Sequence, residues 1–268
     1  MIRDSVKIVF KEHLYYPYLN FKGSFRYFGE EVFFPMGSMA FRYLLKNGIY
    51  EYDNLRFILG NLKEDSVYLD IGANVGLMSI PVLKNFAKVR VFSVEASPKT
   101  FRLLQKTHQQ GHFKNRWTLI NQPVADTAGA EVDFYTAKSH EHAYEGIRNT
   151  ARVKFPGVIK MTATSIDEIW KVAKKPYVSF IKSDIEGADL MALRGGAACI
   201  SGCRPVILIE WNSINIKAFN FEPGDLLAWC KHSKYTCHAL PSLVGISELL
   251  ELHQHMLVTE SFLLLPTN

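Results

Sequence analysis

Val67-Tyr68-Leu69-Asp70-Ile71-Gly72-Ala73-Asn74-Val75-Gly76-Leu77 decides the fold of this chain. Residues 67–71 form a short, largely apolar run bounded by Ser66 and Gly72, which reads as a buried strand. Gly72 and Gly76 flank Asn74, three residues of two types that enter positive-φ backbone at low cost, so the chain is expected to turn sharply there. A helix is predicted over residues 76–86. In an open α/β sheet, ligands lie beyond the carboxyl ends of the strands, so this turn is expected to face a ligand.

Downstream, apolar runs alternate with helical patterns, as in a parallel sheet with crossover helices. Strands are predicted at 89–94, 117–121, 131–135, 177–182 and 206–210, and helices at 98–110, 188–194 and 223–232. Ser97 is a good N-cap with Pro98 at the first helical position, and Ser165 with Glu168 forms a capping box. Residues 136–160 lack periodicity and read as a long loop, a length that often serves function. Two late apolar runs, 256–258 and 262–265, predict a terminal antiparallel hairpin. Upstream, residues 1–64 are aromatic-rich and read as a short helix, a strand pair over 25–34, and a helix over 38–62 broken near Gly48. The division expected is an N-terminal α+β extension or cap (1–64) and a doubly wound α/β domain (65–268).

With 268 residues, 48% of them apolar, the chain can bury a sizeable core. No apolar stretch approaches the ~20 residues that span a bilayer, and Arg3, Asp4 and Lys7 interrupt any signal-peptide core. A cytoplasmic location is therefore expected. The four cysteines include no CxxC pair, so reduced structural thiols are expected. The net charge of +5 is mild and spread along the chain, so no nucleic-acid partner is expected.

Two nucleotide cofactors compete for the turn. A dinucleotide site wants G-x-G-x-x-G, but Asn74 and Leu77 stand where its second and third glycines belong. The pattern Asp70-x-Gly72-x-Asn74-x-Gly76 suits S-adenosylmethionine, whose ammonium is a better partner for Asp70 than a pyrophosphate would be. Glu95, ending the second strand beside Ala96, can accept from both ribose hydroxyls. Asp126, after the third strand, is a candidate acceptor for the adenine amino group.

The chain here resembles the FkbM-type methyltransferases. The resemblance rests on the turn at 68–76, on Val94-Glu95-Ala96-Ser97-Pro98 and on Thr164-Ser165-Ile166-Asp167-Glu168-Ile169. Its most specific part is Ile181-Lys182-Ser183-Asp184-Ile185-Glu186-Gly187-Ala188-Asp189, followed by Leu193-Arg194-Gly195-Gly196 and Val206-Ile207-Leu208-Ile209-Glu210. It covers residues 50–212 and implies a Rossmann-like class I methyltransferase fold, S-adenosyl-L-methionine as donor, and O-methylation. The cofactor residues it implies are Asp70, Gly72, Asn74, Gly76, Glu95 and Asp126.

Methyl transfer from a sulfonium is an in-line displacement, and an alcohol acceptor must lose its proton. The candidates lie where the fourth and fifth strands end: Asp184 as base or as partner of the donor's amine, Glu186 at a helix start, and Glu210. His140 and His142 lie in the long loop, where a lid carrying an imidazole base is an alternative to a plain mobile loop; His142 joins the catalytic candidates. No metal is assigned, although Asp184, Glu210 and Asn212 are an alternative oxygen-ligand set for Mg²⁺. Nucleobase amine methylation is disfavoured, because Asp184-Ile185-Glu186-Gly187 replaces the Asn/Asp-Pro-Pro-aromatic run of those enzymes. The expected acceptor is a glycan, a lipid-linked sugar or a polyketide-like small molecule. The N-terminal aromatics would be a flap, a homodimer surface or a sugar platform. The competing functions are an NAD-dependent oxidoreductase and a non-catalytic S-adenosylmethionine-binding subunit.

Overall fold

The computed structural model describes residues 16–138 and 141–267. A helix α1 (Tyr16–Lys22) leads into the hairpin β1 (Ser24–Tyr27) and β2 (Glu30–Phe33), then helices α2 (Met39–Asn47) and α3 (Tyr52–Asn61). Ser38 caps α2 by accepting from the Phe41 amide, and Gly48 ends it at φ 80°, so the break expected near Gly48 is where the chain turns.

The main sheet follows: β3 (Val67–Ile71), α4 (Ser79–Asn85), β4 (Arg90–Val94), α5 (Pro98–Gln110) and β5 (Trp117–Ile120). An excursion, β6 (Glu131–Thr136) and β7 (Gly157–Thr162), forms its own antiparallel pair. The chain returns through α6 (Ile166–Val172), β8 (Val178–Ser183), α7 (Asp189–Arg194), α8 (Ala197–Cys203) and β9 (Val206–Glu210). It ends with α9 (Ser213–Lys217), α10 (Gly224–Ser233), β10 (Tyr235–Ala239), β11 (Val244–Ile246), α11 (Leu249–Met256) and β12 (Ser261–Pro266).

The eight-stranded sheet runs β11-β10-β12-β9-β8-β3-β4-β5. Strands β5, β4, β3, β8 and β9 are mutually parallel; β12 enters antiparallel beside β9, and β10 and β11 continue antiparallel. The expected α/β class thus holds, in its class I methyltransferase-like form. The connection leaves β3 for β4 on one side and returns to β8 on the other, so a crevice opens at the carboxyl end of β3.

Alternation along the strands divides the core. Leu69, Ile71, Ile181, Ile207 and Ile209 bury one face against α6–α8 and α10. Tyr68, Phe180, Leu208 and Leu263 bury the other against Ile80, Leu104 and the N-terminal Phe25, Phe34, Phe41 and Ile58. Phe34 and Phe41 stack at 3.8 Å between centroids.

Several local expectations need correction. The first crossover helix begins at Ser79 rather than residue 76, because the Gly76 amide closes a turn onto the Ala73 carbonyl at 2.8 Å. The antiparallel hairpin at the C-terminal end is β10–β11, while Met256 closes helix α11 and only the run around Phe262–Leu265 is a strand. The supposed loop at 136–160 contains most of β7 and a 3₁₀ turn at His142–Tyr144. Among the described residues, no helix is long and apolar enough to cross a membrane.

Candidate active site

A cleft of about 380 Å³ opens at the carboxyl ends of β3, β4, β8 and β9, within the usual range for a small-molecule site. One half is built by the turn after β3. The Gly72 and Ala73 amides both donate to the Val94 carbonyl at 2.9 Å, which bends the turn over the end of β4. Gly72 sits at φ 78°, and any Cβ there would run into the Asp184 carbonyl, so only glycine lets strand ends β3 and β8 meet. Asn74, at φ 50°, donates its amide to Glu95 Oε2 at 2.9 Å, and Ser97 donates its amide to Oε1 at 2.7 Å. Burial raises the Glu95 pKa to about 7 against these two amides, which lower it. Gly72, Asn74, Glu95 and Ala96 line the cleft.

The other half is carboxylate-rich. Asp184, Glu186 and Glu210 each present an oxygen within 4.8 Å of the others, and Glu51 lines the same wall. Lys182 is buried beneath them, donating to Asp184 Oδ2 at 3.1 Å and to the Gly72 carbonyl at 3.3 Å, with Asp70 Oδ1 at 3.9 Å. Burial acts to raise the Asp184 pKa, but the Lys182 charge prevails and holds it below the ordinary range. Its neighbours are displaced the other way. Burial and the Asp184 charge push Glu186 up to about 8 and Glu210 well above its usual value, and the same two causes raise Glu51. One ionised carboxylate thus stands among three that hold their protons more tightly than usual.

Arg152 reaches this wall from the strap between β6 and β7. Its Nη1 lies 3.4 Å from both Glu186 Oε2 and Asn215 Oδ1 and 3.9 Å from Glu210 Oε1, and its guanidinium covers the Tyr144 ring at 4.6 Å. The strap also lays buried His142 and Glu145 against the cleft.

Residues 70–237 match the family model of the methyltransferase FkbM domain. The chain belongs to the FkbM methyltransferase family. It is 25% identical over 158 residues to the hexuronic acid methyltransferase AglP of Haloferax volcanii, covering 59% of this chain and 61% of that one. The chain thus matches less than two thirds of that relative's length. The structure of methyltransferase FkbM from Methylobacillus flagellatus KT aligns over 80% of this chain and 47% of that one, at a TM-score of 0.48 and 21% identity. A TehB-like methyltransferase from Corynebacterium glutamicum aligns over 85% and 94%, at 0.43 and 11%.

In this member of the FkbM family, three expected cofactor contacts fall elsewhere. Asp70 is fully buried beneath the turn, accepting from the Ser79 hydroxyl, and the cation it faces is Lys182. Gly76 turns away from the cleft, with its Cβ position 2.9 Å from the Trp117 ring and 3.0 Å from Leu104, so it serves packing. Asp126 is exposed and lines a separate depression with Arg148, Arg194 and Phe221, because the chain leaves the cleft after Val124. The alternative metal set also loses a member. Asn212 caps α9, its Oδ1 accepting the Asn215 amide at 2.9 Å and its Nδ2 donating to Glu210 at 2.6 Å. Glu186 joins Asp184 and Glu210 in a cluster of carboxylate oxygens within 4.8 Å of one another. His140 lies outside the described residues.

Read from the sequence, Lys182, Glu51, Arg152 and Glu145 carry no assigned role. Lys182 carried a signal, a lysine inside the otherwise apolar run Val178-Ser179-Phe180-Ile181, where a charge survives burial only when paired. Glu145 and Arg152 lie in the segment without periodicity and Glu51 within the predicted helical span, and only tertiary packing brings the three to the cleft.

Proposed function

We propose that this chain transfers the methyl group of S-adenosylmethionine to a hydroxyl oxygen of a glycan, a lipid-linked sugar or a similarly hydroxyl-rich small molecule. The observation that carries the reading is the two-sided cleft, with a glycine turn and Glu95 on one side and Asp184, Glu186 and Glu210 on the other. The donor half fits the cofactor chemically. Both Glu95 oxygens retain lone pairs beyond their amide bonds, and Asn74 Oδ1 is buried without a hydrogen-bond partner, so acceptors await a hydroxyl- and amine-bearing ligand. Asn74 and Leu77 in place of glycines argue against a pyrophosphate. When bound, the donor supplies an electrophilic methyl group.

The chain's own residues supply alignment and proton transfer. Lys182 keeps Asp184 ionised, and Asp184 in turn favours the protonated state of Glu210. Burial and the Asp184 charge push Glu186 up to about 8, within reach of neutral pH, which suits it to accept the acceptor hydroxyl's proton. Tyr43, Tyr50 and Tyr144 line the mouth, where aromatic faces suit sugar rings. Two of them come from the segment before residue 65, which we read as an acceptor-side cap. A sugar acceptor also accords with the name of AglP, a hexuronic acid methyltransferase.

Incubation with methyl-labelled donor and a panel of glycans and sugar-linked lipids tests this. Label in a methyl ether is expected; transfer only to an amine, or to nothing in the panel, would sink the reading. The rate should climb with pH and level off above about 8 as Glu186 ionises. Glu186→Gln should lower turnover by about 10²–10⁴-fold and abolish that climb.

A further inference from the structure

The donor half of the cleft contains two buried oxygens that the arrangement above leaves unused. Thr100, in the first turn of α5, lines the cleft at 1% exposure, and its Oγ1 has no hydrogen-bond partner. Glu145, on the strap, lines it at 8% exposure; its Oε1 accepts the Ala137 amide at 2.8 Å, while its Oε2 has no partner. A buried acceptor left without a donor costs about 1–3 kcal/mol, so a folded chain that keeps two beside one cavity has positioned them for something that enters it.

Their surroundings say what enters. Glu145 lies near Ser97 and within electrostatic reach of Glu95. Glu95, at the end of β4, already holds one backbone amide on each oxygen. Those amides leave each Glu95 oxygen one further acceptor position, and the unpartnered Glu145 Oε2 adds another carboxylate acceptor lining the same cavity, so a diol can be held by both. A cation is a poorer match for the Glu145 oxygen, since Thr100 beside the cavity brings no charge and the nearby Lys99 already offsets Glu145.

We propose that Glu145, reaching over from the strap, accepts a hydrogen bond from a ribose hydroxyl of the methyl donor, so that the ribose is gripped between Glu95 and Glu145 with Thr100 completing the pocket. The inference rests on the S-adenosylmethionine reading. It adds a donor-binding residue from a segment outside the glycine turn and the strand ends.

Calorimetric titration with S-adenosylhomocysteine, its 2′-deoxy and 3′-deoxy analogues, and its deaminated inosine analogue tests it. The wild-type chain should bind at least one deoxy analogue about tenfold more weakly than the parent. Glu145→Ala should weaken the parent by a similar factor and erase the penalty for that missing hydroxyl, with the inosine penalty intact. Wild-type affinity in Glu145→Ala, or a weaker affinity with the full deoxy penalty retained, would overturn the inference, as would loss of the inosine penalty alone. If thermal melting shows Glu145→Ala unfolded, Glu145→Gln keeps the side chain's shape with a weaker acceptor, and a partial loss of the deoxy penalty is expected. If the wild-type chain binds none of the four compounds, the donor reading falls and the inference with it. If it binds the parent and Glu145 proves silent, only the inference falls.

Discussion

Lys182 shows how one buried charge sets the state of its neighbours. Its ammonium is shared among Asp70, Asp184 and the Gly72 carbonyl, tying two strand ends together through one atom. Desolvation opposes the charge, but the three carboxylates Asp184, Asp70 and Glu51 raise the Lys182 pKa above its ordinary value, so it stays ionised at all ordinary pH. Removing it would leave Asp70 fully buried and Asp184 beside three other carboxylates without their common counter-ion. Lys182→Met is therefore expected to destabilise the chain by about 3–5 kcal/mol, measured by denaturant unfolding. Adding Asp70→Asn should recover part of that loss, whereas strictly additive effects would show that the two groups are not coupled.

At the scale of the element, the strap between β6 and β7 joins the two halves of the cleft. Glu145 lies toward the half with the glycine turn and Arg152 at the carboxylate-rich half, seven residues apart in the chain. Among the described residues, its polar attachments on the carboxylate side are the long Arg152 contacts and a Tyr144 hydroxyl contact to Met39 sulfur at 3.8 Å, while the Tyr144 ring lies beneath the Arg152 guanidinium and Ile147 is buried in a small cluster with Ala188. Such a segment belongs to the less stable end of a fold, from which gating elements are drawn. Arg152→Ala should speed limited proteolysis within 137–156, and saturating S-adenosylhomocysteine should slow cleavage in the wild type. Equal cleavage rates with and without ligand would count against a strap that contacts the donor. The sequence left this region a loop for a physical reason. β7 is exposed along most of its length, including Val158 and Ile159, so it has no buried face to impose a period of two. Helix α11 was hidden similarly, with Leu249 and Leu250 facing solvent while Leu252 alone is buried within it.

For the molecule as a whole, the carboxyl ends of the parallel strands concentrate buried acids at one edge of the sheet. Burial holds Glu95 and Asp189 near 7 and, with the Asp184 charge, Glu186 near 8. In the unfolded chain these groups release their protons near pH 4. Between roughly pH 4 and 8 the native state therefore binds more protons than the unfolded state, and stability falls as pH rises through that window. Asp184, whose pKa lies below its ordinary value, acts in the opposite sense at the acid end, losing its contribution as pH falls through its folded pKa. In the absence of ligand the Tm is expected to decline from about pH 5 to about pH 8, and Glu186→Gln should flatten the decline. A Tm that rises across that range would contradict the burial of these acids.

By itself the sequence determined the parallel order of short buried strands, the turn at 72–76 and the placing of Glu95, Asp184, Glu186 and Glu210 at strand ends. Those features are local, since a period of two, a glycine at positive φ and a capping serine each act within a few residues. Only the tertiary structure decided which acids face the cleft. It buried Asp70 against Lys182, turned Asp126 outward, spent Asn212 on a helix cap, and brought Glu51, Glu145 and Arg152 in from distant segments. Side-chain direction at the end of a strand depends on what packs above it, and that is settled by contacts between residues far apart in the chain.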